Sequence, residues 1–190
     1  QMTLAYNTIA TDGKLYKPML IKKIMSSNNE VLQEFSPTLV RDITEPSEDG
    51  FAVNKNHLKV VREGMRRVGN AERGTARWWK IPGIEIAGKT GTSQVISFSA
   101  DEIYDKCDQR PIHLRHHGTF IGYAPAENPE IIVGALTEHS CAGSSGSAPI
   151  VRDIIKAYFE KFKPELIKTK EKLKAEATPV VPANIGEAAD

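Results

Sequence analysis

Cysteine and any surplus of charge are scarce in this sequence, and each shortage closes a class of function. Two cysteines in 190 residues cannot make a disulfide-dense scaffold, and with five histidines they match no closed zinc-ligand spacing. Lys and Arg number 25 against 24 Asp and Glu, a formal net charge of +1, which gives no electrostatic case for nucleic acid or for an acidic polymer. No apolar run reaches the ~18 residues that a membrane span requires. No charged start leads into an apolar segment of the signal-peptide kind. The chain opens on Gln1 and not on Met, and we expect it to be one stretch of something longer.

What is present suits one domain: 40% of the residues are hydrophobic, enough to bury a core. Met2, Tyr6 and Ile9 recur at helical spacing and predict a core helix that stops at Gly13. KLYKPMLIKKI reads as extended, with Pro18 marking an edge or bulge. SSNNE at 26–30 is a turn and VLQEF a short strand, while residues 36–53, rich in Pro, Ser, Asp and Glu, read as a connection. Asn54 or Asn56 caps a helix whose apolar face is Leu58, Val61, Met65 and Val68, with Lys59, Arg62, Glu63, Arg66 and Arg67 on a solvated face.

Beyond a loop carrying Trp78 and Trp79, one expected to pack and one to line the surface, IEIAGKTGTSQV reads as a strand. Residues 97–117 form a polar flap. GTFIGYA and IIVGALTEH, separated by a turn at Ala124–Pro129, form a hairpin with the second arm buried. Ile150, Ile154, Ile155, Tyr158, Phe159 and Phe162 predict a terminal helix. The fold class is therefore α+β, an antiparallel sheet covered by helices, over residues 1–163. Residues 164–190, charged and then Ala/Pro-rich, form a tail expected to be disordered.

The chemistry concentrates at Lys89-Thr90-Gly91-Thr92. A lysine on a strand beside glycine can stand over a pocket, because Gly91 brings no bulk to block a ligand. A hydroxyl on the same face as the lysine, at strand period two or a twist away, can bind a carboxylate, and a backbone N–H can stabilise an oxyanion. Such triplets also arise by chance, and the plain alternative is a surface lysine beside a turn glycine. Cys107 and Cys141 can pair if both face an oxidising compartment; the reading adopted is two unrelated thiols. His113, His116 and His117 near these cysteines have irregular spacing and read as solvated flap residues, so no metal and no cofactor is expected. Glu138 and His139 read as a structural strand edge, with an acid/base pair as the alternative.

In context these segments resemble the class B, high-molecular-weight penicillin-binding proteins, most closely the elongation type, penicillin-binding protein 2. QMTLAYNTIATDGKLYKPMLIKKI is similar to the helix and segment after that family's active-site cleft. VVREGMRRVGNAERGTA is similar to its helix and Gly-Thr-Ala loop, here Gly74-Thr75-Ala76. AGKTGTSQV resembles its third-motif strand, HHGTFIGYAPAENPEIIVGALTEH its paired strands, and SGSAPIVRDIIKAYF its final helix. The resemblance covers roughly residues 1–163, in the family's order. It implies part of the penicillin-binding and serine β-lactamase-like transpeptidase fold. Lys89 would be the catalytic-site residue that anchors and polarises the donor peptide. Thr90, Gly91, Thr92 and Gln94 would form the substrate-binding strand, with Thr92 on the terminal carboxylate and Thr90 packing beneath. Implied ligands are D-Ala-D-Ala stem peptides of peptidoglycan and β-lactams. An active serine attacks the penultimate D-Ala carbonyl, expels the last D-Ala, and passes the acyl group to an amine. The family further implies the periplasmic face of the inner membrane and cell-elongation partners.

The sequence departs from the family in one decisive respect. No serine has a lysine three residues on, so the nucleophile motif S-x-x-K is missing. Ser26-Ser27-Asn28 matches S-x-N in letters only, since it falls in an expected turn. We expect both elements in an N-terminal half outside this sequence, and the chain to be inactive and fragile without it. Two rivals remain: a non-catalytic remnant or half-domain binding module, and a serine β-lactamase relative. The Gly-Thr-Ala loop and long flap weigh against the second.

Overall fold

A computed structural model describes residues 1–97 and 106–167. Three helices enclose one three-stranded antiparallel sheet, and two small two-stranded ribbons stand beside it. Helix α1, Met2–Ala10, leads into β1, Lys14–Tyr16. Strands β2, Lys23–Met25, and β3, Val31–Glu34, pair around the Ser26 turn, whose hydroxyl accepts from the N–H of Asn28 and Glu30. Strand β4, Leu39–Asp42, returns to pair with β1, with a register shift at Leu15/Tyr16. Residues 36–53 are thus not only a connection. The flanking prolines hide a four-residue strand, which supplies hydrogen-bond partners for β1.

Helix α2, Lys55–Asn70, starts at Asn54, whose side chain accepts from the Asn56 N–H at 2.8 Å. Leu58 and Met65 are buried, but Val61 is 45% exposed, so the buried stripe is narrower than its apolar spacing indicates. The basic face is more than solvated. Glu63 receives Arg66 and Arg67, Arg66 also reaches Glu85, and Arg62 bonds Asp12 and the carbonyls of Ala126 and Glu127.

The main sheet has the order β5, Ala87–Ser93; β6, His117–Ala124; β7, Ile131–Thr137. In register, Lys89 faces Ile121 and Gly91 faces Thr119; Ile121 in turn faces Gly134. The burial of the hairpin arms is the reverse of the sequence reading. Central β6 is buried almost throughout, whereas β7 lies at the edge and is half-exposed. Contacts on both flanks leave only the middle strand without a solvent edge.

Helix α3, Ser147–Phe162, covers one sheet face. Val151, Ile155 and Phe159 pack there on Phe120, Ala124 and Ile86, all essentially inaccessible. Each of the larger side chains among them contributes roughly 1.5–3 kcal/mol. Ile150, Ile154 and Phe162, placed on the apolar stripe by spacing, are instead exposed. The inward row is Ala148–Val151–Ile155–Phe159, one residue round the helix. On the opposite face α1 lays Ala10, Tyr6 and Ile9 against Tyr123, Ala87 and Ile132, with Met65 of α2 closing the cluster. Met2 of α1 is 64% exposed, so the expected core helix is buried only at its C-terminal half.

Trp79 packs and donates its Nε1–H to the Ser144 carbonyl at 2.6 Å, while Trp78 is exposed under Arg77. Residues 98–105 of the expected flap lie outside the described residues; its later part forms two short 3-10 turns, Cys107–Gln109 and Ile112–Leu114. Another closes the described chain at Pro164–Leu166, and the rest of the expected tail, 168–190, lies outside the described residues. Cys107 and Cys141 form a disulfide, with Cα atoms 5.6 Å apart, and are not the separate thiols expected. The cause is topological. The β6–β7 pairing returns the chain to the start of β6, where the Cys141 N–H bonds the His116 carbonyl at 2.9 Å. Among the described residues no helix is long and apolar enough to cross a membrane.

Candidate active site

Strand alternation sorts the Lys89 motif into two sides. Lys89, Gly91 and Ser93 share one face of β5 with Thr119, Ile121, Gly134 and Leu136 of the neighbouring strands. Above them lies the first half of α1. Between the helix and the sheet opens a cavity of about 650 Å³, lined by Met2, Thr3, Tyr6, Lys89, Thr119 and Ile121 among others. That size falls within the range of small-ligand sites.

Lys89 is exposed at this cavity. Its ammonium donates to the Thr90 carbonyl at 2.6 Å and has no carboxylate partner among the described residues. A lysine with no carboxylate partner among the described residues, beside a mostly apolar cavity, suits an anionic ligand group. Gly91 serves the neighbouring strand as well as any ligand. A Cβ built there would lie 2.3 Å from Thr119 Oγ1.

Thr90 and Thr92 project from the opposite side. The Thr90 hydroxyl lies 3.0 Å from that of Thr75, so the Gly-Thr-Ala loop is latched onto β5 there. Thr92 and Gln94 are exposed and do not line the cavity, although Thr90 borders it. Lys89 and Thr92 are thus brought together by the strand edge and not by one face. Strand β5 is an edge strand, and its outer backbone row has no strand partner among the described residues. An extended ligand lying along that edge meets side chains from both faces.

Ser93, Thr119 and Thr3 bring hydroxyls to the lysine's cavity and were not singled out from sequence. Counting by two from Lys89 reaches Ser93. Thr119 requires the β5–β6 register, and Thr3 requires the docking of α1, neither of which leaves a local signal.

His117 and His139 are structural, whereas His113 is exposed, as expected of a flap residue. The His139 N–H donates to His117 Nδ1 at 3.0 Å, His139 Nδ1 lies 3.1 Å from the Arg115 carbonyl, and the two rings meet edge to face at 4.8 Å. No group of three metal-binding side chains occurs among the described residues. Both sulfurs near these rings are committed to the disulfide.

Comparison with known proteins agrees with this architecture. The peptidoglycan D,D-transpeptidase MrdA of Haemophilus influenzae is 30% identical over 169 residues, covering 88% of this chain but 24% of that protein. The D,D-transpeptidase domain of a peptidoglycan glycosyltransferase from Eggerthella lenta superposes with a TM-score of 0.60 at 26% identity, over 84% of this chain and 31% of that one. Penicillin-binding protein A of Mycobacterium tuberculosis, solved as an acyl-enzyme complex, gives a TM-score of 0.59 at 27% identity, over 82% of this chain and 31% of that one. The chain therefore spans about a quarter of the length of the curated relative. Residues 1–156 match the penicillin-binding protein transpeptidase domain, and with that sheet, that helix cover and that Lys-Thr-Gly strand the chain belongs to this family.

Proposed function

We propose that this chain forms one wall of the donor site of a peptidoglycan D,D-transpeptidase. The observation that carries the reading is Lys89, which stands at a cavity with no carboxylate partner among the described residues, on an edge strand whose outer row has no strand partner among them. A stem peptide would lie along the outer edge of β5 as an added strand. Lys89 would reach it from one face and polarise the reacting amide. The Thr92 hydroxyl would hold its terminal carboxylate from the other, with Thr90 and Gln94 supporting the strand. The same contacts would hold a β-lactam, whose carboxylate is analogous.

The nucleophile cannot come from this sequence, which has no S-x-x-K. It would come from an N-terminal half of the same domain, packed over the open side of the cavity, and the chain alone would be inactive. The disulfide favours a compartment that oxidises thiols, which agrees with the periplasmic face of the inner membrane. Cell-elongation proteins are the partners that the elongation-type relatives imply.

The test is covalent labelling of the complete gene product with a fluorescent penicillin. One stable adduct per protein, slowed on the order of 100-fold by Lys89→Met, is the expected result. An adduct that is rapidly hydrolysed would indicate a β-lactamase relative. A 190-residue native product that gains no adduct would indicate a non-catalytic remnant.

A further inference from the structure

A loop braced by several hydrogen bonds and a disulfide lies outside the cavity, at the far end of β5. After β7 the chain turns sharply, with His139 and Cys141 in left-handed backbone conformations at φ 56° and 68°. Residues without glycine's freedom hold such angles only where their surroundings impose them. Here the surroundings are extensive. Ser140 Oγ accepts from the Gly118 N–H at 3.1 Å and donates to the Thr137 carbonyl at 3.0 Å. Ser147 Oγ donates to the Gly118 carbonyl at 2.8 Å. On the other side Arg115 ties its own loop together through the carbonyls of Arg110 and Asp108, at 2.9 and 2.8 Å. The Cys107–Cys141 bridge joins these two braced segments, which come from separate connections of the sheet.

From the bridge an unbroken path of contacts leads to the motif strand. Two residues after Cys141, Gly143 is pressed onto the sheet backbone. A Cβ there would lie 1.9 Å from the Thr119 carbonyl oxygen and 2.7 Å from that of Gly91. The bridge also anchors the segment that enters β6 at His117, the residue paired with Ser93. The turn therefore bears directly on the backbone of Gly91, and the loop before β6 bears on the end of β5.

We propose that the Cys107–Cys141 disulfide is a positioning element of the donor wall, holding the 138–146 turn against β5 so that Thr92 and Gln94 keep the geometry that binds the donor carboxylate. This rests on the transpeptidase reading given above. The bridge touches no substrate; it acts through Gly143 and Gly91. With it open the wall loosens, and ligand is bound more weakly without change to the acylation step itself.

The experiment uses the complete protein in three forms: oxidised, reduced while folded, and Cys107→Ser/Cys141→Ser. A phosphine opens the bridge, which takes up two electrons and two protons to become two thiols while the phosphine takes the oxygen of water. Acylation by a fluorescent penicillin is followed against penicillin concentration, and amide hydrogen exchange is followed at residues 91–94. Opening the bridge should raise the half-saturating concentration about tenfold while the limiting rate and the number of labelled sites stay constant, because only uniform binding is lost. Exchange at Thr92 and Gln94 should quicken in the same samples. An unchanged saturation curve, or a loss of labelled sites alone, overturns the proposal, since a merely structural bridge lowers the amount of active protein and not its affinity. If the oxidised protein is never acylated while exchange still responds, the transpeptidase reading fails and the mechanical link from bridge to β5 stands.

Discussion

Gly91 and Gly143 look alike in the sequence, yet they answer to different neighbours. At Gly91 an added methyl would meet the Thr119 hydroxyl, which one bond rotation can move; at Gly143 it would meet two backbone carbonyls, which cannot move without the sheet. Gly91→Ala should therefore cost about 1–2 kcal/mol and Gly143→Ala about 3 kcal/mol or more, read from urea midpoints of the purified protein. Equal losses would mean that the turn yields as readily as a side chain. Lys89 and Gly91 were legible as a pair because the residue types themselves carry the chemistry. That Thr92 lies across the strand from Lys89 follows from alternation, while its place on an unpartnered edge follows only from the sheet order.

Among the elements, α2 shows how charge supplements an apolar stripe. Glu63 sits within hydrogen-bond reach of Arg66 and Arg67, and these bonds hold its carboxyl at about 2, below its ordinary 4.5. A depressed carboxylate contributes stability that is complete above its unfolded value and disappears as the pH falls through its folded one. Stability should accordingly decline between about pH 5 and pH 2, with Glu63→Gln flattening that part of a plot of melting temperature against pH. The same slope in both proteins would show that solvent screens the pairs to nothing. Helices α1, α2 and α3 were legible from spacing and from caps such as Asn54, but their inward faces less so. Ile150 and Ile154 satisfy the period as well as Val151 and Ile155 do. Only the direction from which the sheet approaches decides between the two rows. Strand β4 escaped notice because four residues between prolines hold too few alternations to stand out, and its reason for existing is β1.

For the molecule as a whole, the disulfide closes a span of 34 residues across two connections that share no hydrophobic cluster. Loop closure of that length is worth about 4 kcal/mol. Reducing the folded protein should lower its urea midpoint accordingly, and an unchanged midpoint would assign that stability to the hydrogen-bonded turn alone. The cavity side of the sheet has a different weakness. Met2 and Leu136 at the cavity are exposed, and elsewhere so are Leu20 and Ile21 before β2 and Leu32 in β3, Leu20 completely. Apolar surface on this scale favours association. The 190-residue chain on its own should bind a hydrophobic dye and unfold over a broad temperature range. A sharp, dye-free thermal transition would show that the sheet and α3 suffice as a folding unit.

The amino-acid order alone determined the fold class, the three helices, the hairpin and the strand that carries Lys89. Each of these is written in local periodicity, in turn residues or in a short motif, all of which act between near neighbours. The tertiary structure decided which strand is central, which row of α3 is buried, that Thr3, Ser93 and Thr119 join the lysine's cavity, and that Cys107 meets Cys141. Those outcomes depend on register and on which faces meet, contacts between residues distant in the chain that leave no periodic trace along it.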